Sequence, residues 1–181
     1  MRAIFRLPVK ARGIMIGFGL GPNMDQAIRE ALPNWGAVLF PGAPATFNTP
    51  QIQACRRAVG GDASTPILLV GFGPGVQTVF RILASNLTET LTGVSLFDGE
   101  YPEDTLPTWS RFAALSRGGK APRMVADVRG AAEAVAAALG PAPAAPEGGE
   151  AEPARVARVL AANFGPDSAA MPEPLPPSEA P

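Results

Sequence analysis

The chain has 181 residues, 46% of them hydrophobic and 17% charged, with a net charge of −1, one cysteine and no histidine. This length and apolar content allow one domain with a real core, plus a tail. Near-neutral charge gives no general electrostatic case for nucleic acid, the lone Cys55 excludes an internal disulfide, and the apolar runs fall well short of the ~20 residues that cross a bilayer.

Met1 to Lys10 is broken by Arg6 and Pro8 and lacks the apolar centre of a signal peptide. The first predicted strand, Gly13 to Gly17, runs into the glycine turn Gly17-Phe18-Gly19-Leu20-Gly21, and a helical pattern follows near residues 22–32. A strand over Gly36 to Phe40 precedes a helix over 49–60, where Cys55 shares a face with Ile52 and Val59 and reads as a small buried hydrophobe. Pro66 to Gly71 is a continuous apolar run, as in a strand buried on both faces. Val76, Val79, Phe80 and Leu83 then recur at helical spacing over 75–87. Strands Thr92 to Phe97 and Pro122 to Ala126 alternate with helices over 106–117 and 129–139. Such alternation predicts an α/β fold, a three-layer α/β/α sandwich around a mainly parallel sheet.

The turn Gly71-Phe72-Gly73-Pro74-Gly75 is the most informative motif. A Gly-x-Ser-x-Gly turn between strand and helix presents a nucleophile in α/β-hydrolases, and its flanking glycines are needed because side chains there clash. Gly71 and Gly75 match those glycines, but the nucleophile position is Gly73, no histidine exists to act as base, and Pro74 lacks the N–H that would serve as one oxyanion donor. A glycine turn between strand and helix is also common in α/β proteins without this chemistry.

The segment Trp35-Gly36-Ala37-Val38-Leu39-Phe40-Pro41-Gly42-Ala43-Pro44-Ala45-Thr46-Phe47-Asn48, followed by a helix, a strand and the degenerate turn, resembles the lysin B esterases of mycobacteriophages and their cutinase-like relatives. In that family a tryptophan leads into a strand, a Pro-Ala-Thr-Phe-like loop, a helix and a Gly-Tyr-Ser-Gln-Gly turn. The resemblance covers about residues 13–100. It implies the nucleophile site at Gly73, the turn glycines at Gly71 and Gly75, and the second oxyanion region at Gly17-Phe18-Gly19. No residue takes the histidine role, the acid has no assigned equivalent, and the family's later elements are missing, which implies a reduced hydrolase-like fold. The implied protein is a catalytically inactive virion component, cytoplasmic or virion-associated, that works by binding or assembly.

Two other functions compete. Asp98 and Asp127 each follow an apolar strand, at the sheet edge where α/β ligands bind, and carboxylates serve as general acids or bases when burial raises their pKa. Asp98 to Asp104 gathers four carboxylates in seven residues, but at no EF-hand spacing, so a solvated acidic turn is expected and no metal or other cofactor. The echo between Ile14 to Gly21 and Leu68 to Gly75 allows a glycine-loop nucleotide binder, against which stand an incomplete Gly-x-Gly-x-x-Gly spacing, no Walker lysine, and Pro22 and Pro74.

Composition changes after residue 140, dividing the chain into an α/β domain over 1–140 and a Pro/Ala-rich acidic tail over 141–181. Ten of the 21 prolines lie in that tail, which reads as a linker, one amphipathic helix near 153–163 and a proline-rich acidic end. Val156, Val159 and Leu160 form the helix's apolar stripe, and so short a helix needs a surface to be stable. Its own domain is one such surface. A protein partner or a second copy is the other, and a tether reaching a partner is the expectation carried forward.

Overall fold

A computed structural model describes residues 3–85, 90–120, 122–127, 137, 139, 149 and 151–168. The strands are β1 (Ala3–Phe5), β2 (Gly13–Phe18), β3 (Trp35–Phe40), β4 (Ile67–Phe72), β5 (Leu91–Phe97) and β6 (Arg123–Asp127). The helices are α1 (Asp25–Ala31), α2 (Thr49–Val59), α3 (Gly75–Ala84), α4 (Leu106–Arg117) and α5 (Glu152–Phe164). They form an α/β fold on one six-stranded sheet in the order β1-β3-β2-β4-β5-β6. All neighbours are parallel except β1, which pairs antiparallel with β3 through Ile4 opposite Val38.

Strand boundaries follow the apolar runs to within a residue. The exception is β1, a three-residue edge strand whose sequence shows no alternation; its partner β3 alone makes it a strand. Local chemistry fixes α2: Asn48 Oδ1 accepts from the Gln51 N–H while Gln51 Oε1 accepts from the Asn48 N–H, a reciprocal capping box, and Gly60 at φ +88 closes the other end. The helix expected near 22–32 begins instead as a 3-10 turn over Pro22–Met24 and becomes α-helical at Asp25. Most of the expected 129–139 helix and 141–149 linker, and all of the 171–181 tail end, lie outside the described residues.

Side-chain alternation divides the core into two clusters. Ile14, Ile16 and Phe18 of β2 pack with Ile52 and Val59 of α2, Val76 and Val79 of α3, and Trp109 and Phe112 of α4. Met15 of the same strand packs with Ala37, Leu39, Leu68, Val70 and Phe97, beneath Ile28 of α1 and Val156, Val159, Leu160 and Phe164 of α5. Strands buried on both faces explain why their sequences read as continuous apolar runs. Among the described residues no helix is long and apolar enough to cross a membrane.

The position of α5 corrects the tether expectation. Val156, Val159, Leu160 and Phe164 are 0–1% exposed, and the Trp35 indole N–H donates to the Phe164 carbonyl at 2.9 Å. Beyond the helix, Arg12 donates to Ser168 Oγ at 2.9 Å and to the Pro166 carbonyl at 3.0 Å. Fully burying an apolar side chain of this size contributes about 1.5–3 kcal/mol, and closing a longer loop adds only about 0.6 kcal/mol per doubling of its length. The helix therefore docks on its own sheet, and its stripe is core rather than partner surface.

Glycine is required where β2 and β4 enter their turns. A β-carbon on Gly75 would lie 2.2 Å from the Phe18 carbonyl oxygen, and one on Gly71 2.9 Å from the Val76 α-carbon. Gly73, at φ +51, has nothing within 4 Å of that position. Gly75→Ala is expected to lose about 3 kcal/mol or more through overpacking against backbone. Gly73→Ala should lose about 1–2 kcal/mol, the cost of a left-handed non-glycine residue. Urea denaturation midpoints test the ranking, and equal losses would contradict it.

Candidate functional site

Taken alone, the five parallel strands run β3-β2-β4-β5-β6, the doubly wound order in which the chain reverses direction between β2 and β4. Ligands in open α/β sheets bind beyond the carboxyl ends of the strands at such a switch point. The two glycine turns singled out by the sequence meet there.

Their contact is backbone to backbone. A β-carbon on Gly19, at φ +74, would lie 2.2 Å from the Phe72 carbonyl oxygen, the counterpart of the Gly75 approach to Phe18. The Gly73 N–H donates to the Phe97 carbonyl at 2.8 Å and the Gly19 N–H to the Gly42 carbonyl at 3.1 Å, so each turn is also pinned to a neighbouring segment. Gly17 and Phe18 serve the core rather than a contact surface. Phe18 is fully buried against Phe47 and Phe40, with ring centroids 4.9 and 5.5 Å away, and a β-carbon on Gly17 would strike Leu20 at 2.4 Å. Gly73 is the position that stands open, and it carries no functional group.

Asp98 and Asp127 come together at the ends of β5 and β6, where Phe97 is the register partner of Asp127. Between them lies the Arg155 guanidinium from α5, 2% exposed. Nη2 pairs with Asp98 Oδ2, Nη1 donates to Asp98 Oδ1 at 3.3 Å and stands 3.6 Å from Asp127 Oδ2, and the carbon between them sits 6.0 Å from the Phe97 ring centroid. Burial works to lower the Arg155 pKa, but the hydrogen bond and charge of Asp98, with the charges of Asp127 and Glu152, hold it above the ordinary value. Asp98 is also the one described non-glycine residue with positive φ, at +46. These carboxylates form a clamp for a cation of the same chain.

Arg155 is the residue that sequence reasoning missed. Its signal was a charge one position before Val156 and four before Val159, inside the helix's apolar stripe, where a buried cation must find a carboxylate. The rest of the acidic segment is structural. Tyr101 packs edge-on against Trp109 at 5.8 Å, and burial pushes its phenol pKa far above the ordinary value. Glu103 and Asp104 enter the 3-10 turn ahead of α4, and the Glu100 carbonyl accepts from Gln77 Nε2 at 2.7 Å. Among the described residues no group of three His, Cys, Asp or Glu side chains is placed to hold a metal ion.

No protein-family model matches the chain, and no curated protein and no solved structure matches it.

Arg155→Met should leave two carboxylates facing each other without their cation. Breaking a buried pair from one side costs about 3–5 kcal/mol. Arg155→Lys keeps the charge but not the bidentate fork, so it is expected to recover only part of that loss. Chemical denaturation of the three proteins tests this, and an Arg155→Met variant as stable as the parent would show that the clamp holds nothing.

Proposed function

We propose that this chain is a reduced, three-layer α/β/α domain of hydrolase-like build that carries no hydrolytic chemistry and serves binding or assembly, with a phage particle as its setting. The observation that supports this reading is the asymmetry of the turn after β4. Its outer glycines are closed in by backbone, while Gly73 between them stands on left-handed backbone with open space above it. A nucleophile turn needs that combination: tight flanks and an exposed middle residue on a strained bend. A turn that merely reverses the chain does not. The chemistry that would use the bend is missing, since Gly73 has no side chain, Pro74 no N–H, and the chain no histidine. The phage setting rests on the resemblance of residues 13–100 to lysin B, an analogy of sequence rather than of site.

The two competing functions find less support. A carboxylate enzyme at Asp98 and Asp127 would need one of them available to donate or accept a proton, and both face Arg155. A nucleotide binder would need open N–H groups between the glycine turns, whereas their backbones approach one another there and Pro74 lacks its donor.

Purified protein is expected to hydrolyse short-chain nitrophenyl esters no faster than buffer. Gly73→Ser should do no better, because no base activates the hydroxyl and one missing oxyanion donor alone costs about 2.7–4 kcal/mol of transition-state stabilisation. Saturable hydrolysis by either protein would overturn the proposal, and a melting temperature raised by nucleotide would favour the glycine-loop binder.

A further inference from the structure

Charge in this molecule is sorted along the strand axis. Strands β2 to β6 run parallel, so their starts share one end of the sheet and their finishes the other. At the amino end Arg6 leaves β1 beside the start of β3, and Lys10 precedes β2. Arg57 lies in the last turn of α2, Arg117 in the last turn of α4, and Lys120 just ahead of β6. All of these are exposed. Arg29 and Arg81, in the last turns of α1 and α3, add to the positive charge, while Glu30, Asp62 and Asp167 are the described acids at this end. The carboxyl end has the opposite sign. Glu100, Glu103 and Asp104, between β5 and α4, and Glu152, which opens α5, are exposed, whereas Arg155 at that end is buried in its clamp.

Helix physics accounts for part of this sorting. Acids favour helix starts and cations helix ends, and α1 to α4 each return the chain from the carboxyl end of one strand to the amino end of the next parallel one. It does not account for Arg6, Lys10 and Glu100, which lie in loops and carry the same polarity over surface that no helix covers. Between Arg6 and Lys10, the Val9 side chain is fully exposed. The chain therefore has two opposed surfaces of opposite sign on a molecule of net charge −1. Complementary potentials steer association and fix its register, and joining unlike surfaces of identical molecules makes a head-to-tail contact. A polyanion would use one end alone and gain no long-range pull from a near-zero net charge. A second copy accounts for both ends.

We propose that copies of this chain associate head to tail, with the acids between β5 and α4 of one copy against Arg6, Lys10 and Arg57 of the next, and Val9 as the apolar contact at the joint. This rests on the assembly role proposed above. Sedimentation of the full chain tests it. The weight-average mass should exceed that of one chain at about 0.01 M salt and return to one chain at about 1 M, where the screening length falls from about 30 Å to about 3 Å. Arg6→Gln with Lys10→Gln and Arg57→Gln neutralises one end, and Glu100→Gln with Glu103→Gln and Asp104→Asn the other. Each triple variant should be monomeric alone with the parent's melting temperature. Mixed in equal amounts they should form a discrete 1:1 dimer, because one complementary joint remains. A parent that stays monomeric at low salt would overturn the proposal while leaving a role in binding some other partner intact. Association of either triple variant by itself would also overturn it, as would a monomeric parent that binds short duplex DNA through the basic end.

Discussion

Arg155 enters from a helix far along the chain and ends between Asp98 and Asp127, at the tips of two adjacent strands. Removing a guanidinium from water is costly, and the position is tolerable because one carboxylate takes it bidentately, the second lies close, and an aromatic ring lies beneath it. Those demands fix where α5 sits. Once its first turn is anchored, Val156, Val159, Leu160 and Phe164 fall onto the sheet face that α1 leaves uncovered, and the Trp35 hydrogen bond holds the far end. A stretch whose composition suggests a tail becomes part of the second core cluster, and the carboxylates at the sheet edge pair with its arginine.

The switch point between β2 and β4 is governed by a different constraint, the approach of two backbones. Gly19 lies against the Phe72 carbonyl and Gly75 against the Phe18 carbonyl, so neither position admits a side chain. This crossing holds the turn after β4 in a sharp form, with its outer glycines against backbone. With glycine at its apex and proline beyond, the bend presents no side-chain nucleophile. Shape and reactivity are separable here because backbone packing specifies the first and individual side chains the second.

The sequence was most legible where a pattern has one cause. Apolar runs mark β2 to β5 because burial on both faces favours an almost wholly apolar parallel strand. The glycines at 19, 71 and 75 were readable because steric exclusion leaves a single residue type. Legibility failed where the partner is distant. Three residues of β1 acquire strand structure from β3 alone, and Asp98, Asp127 and Arg155 look like separate surface charges until the fold unites positions 57 and 28 residues apart. The resemblance sets Phe18 in an oxyanion region, whereas its ring belongs to a cluster with Phe40 and Phe47. Proline and alanine content after residue 140 hid the docking of α5, because composition reports average solvation and not the four side chains that settle the matter.

Native-state amide hydrogen exchange tests most directly whether the clamp makes strands and α5 one cooperative unit. Helix elements that merely lean on a domain open sub-globally, whereas integral ones exchange only when the whole fold opens. Amides from Val159 to Phe164 are expected to exchange with the same free energy, and the same denaturant dependence, as those of β2 and β4. Exchange of α5 at a clearly lower free energy, while the strands stay protected, would contradict it and return the helix to the role of a tether.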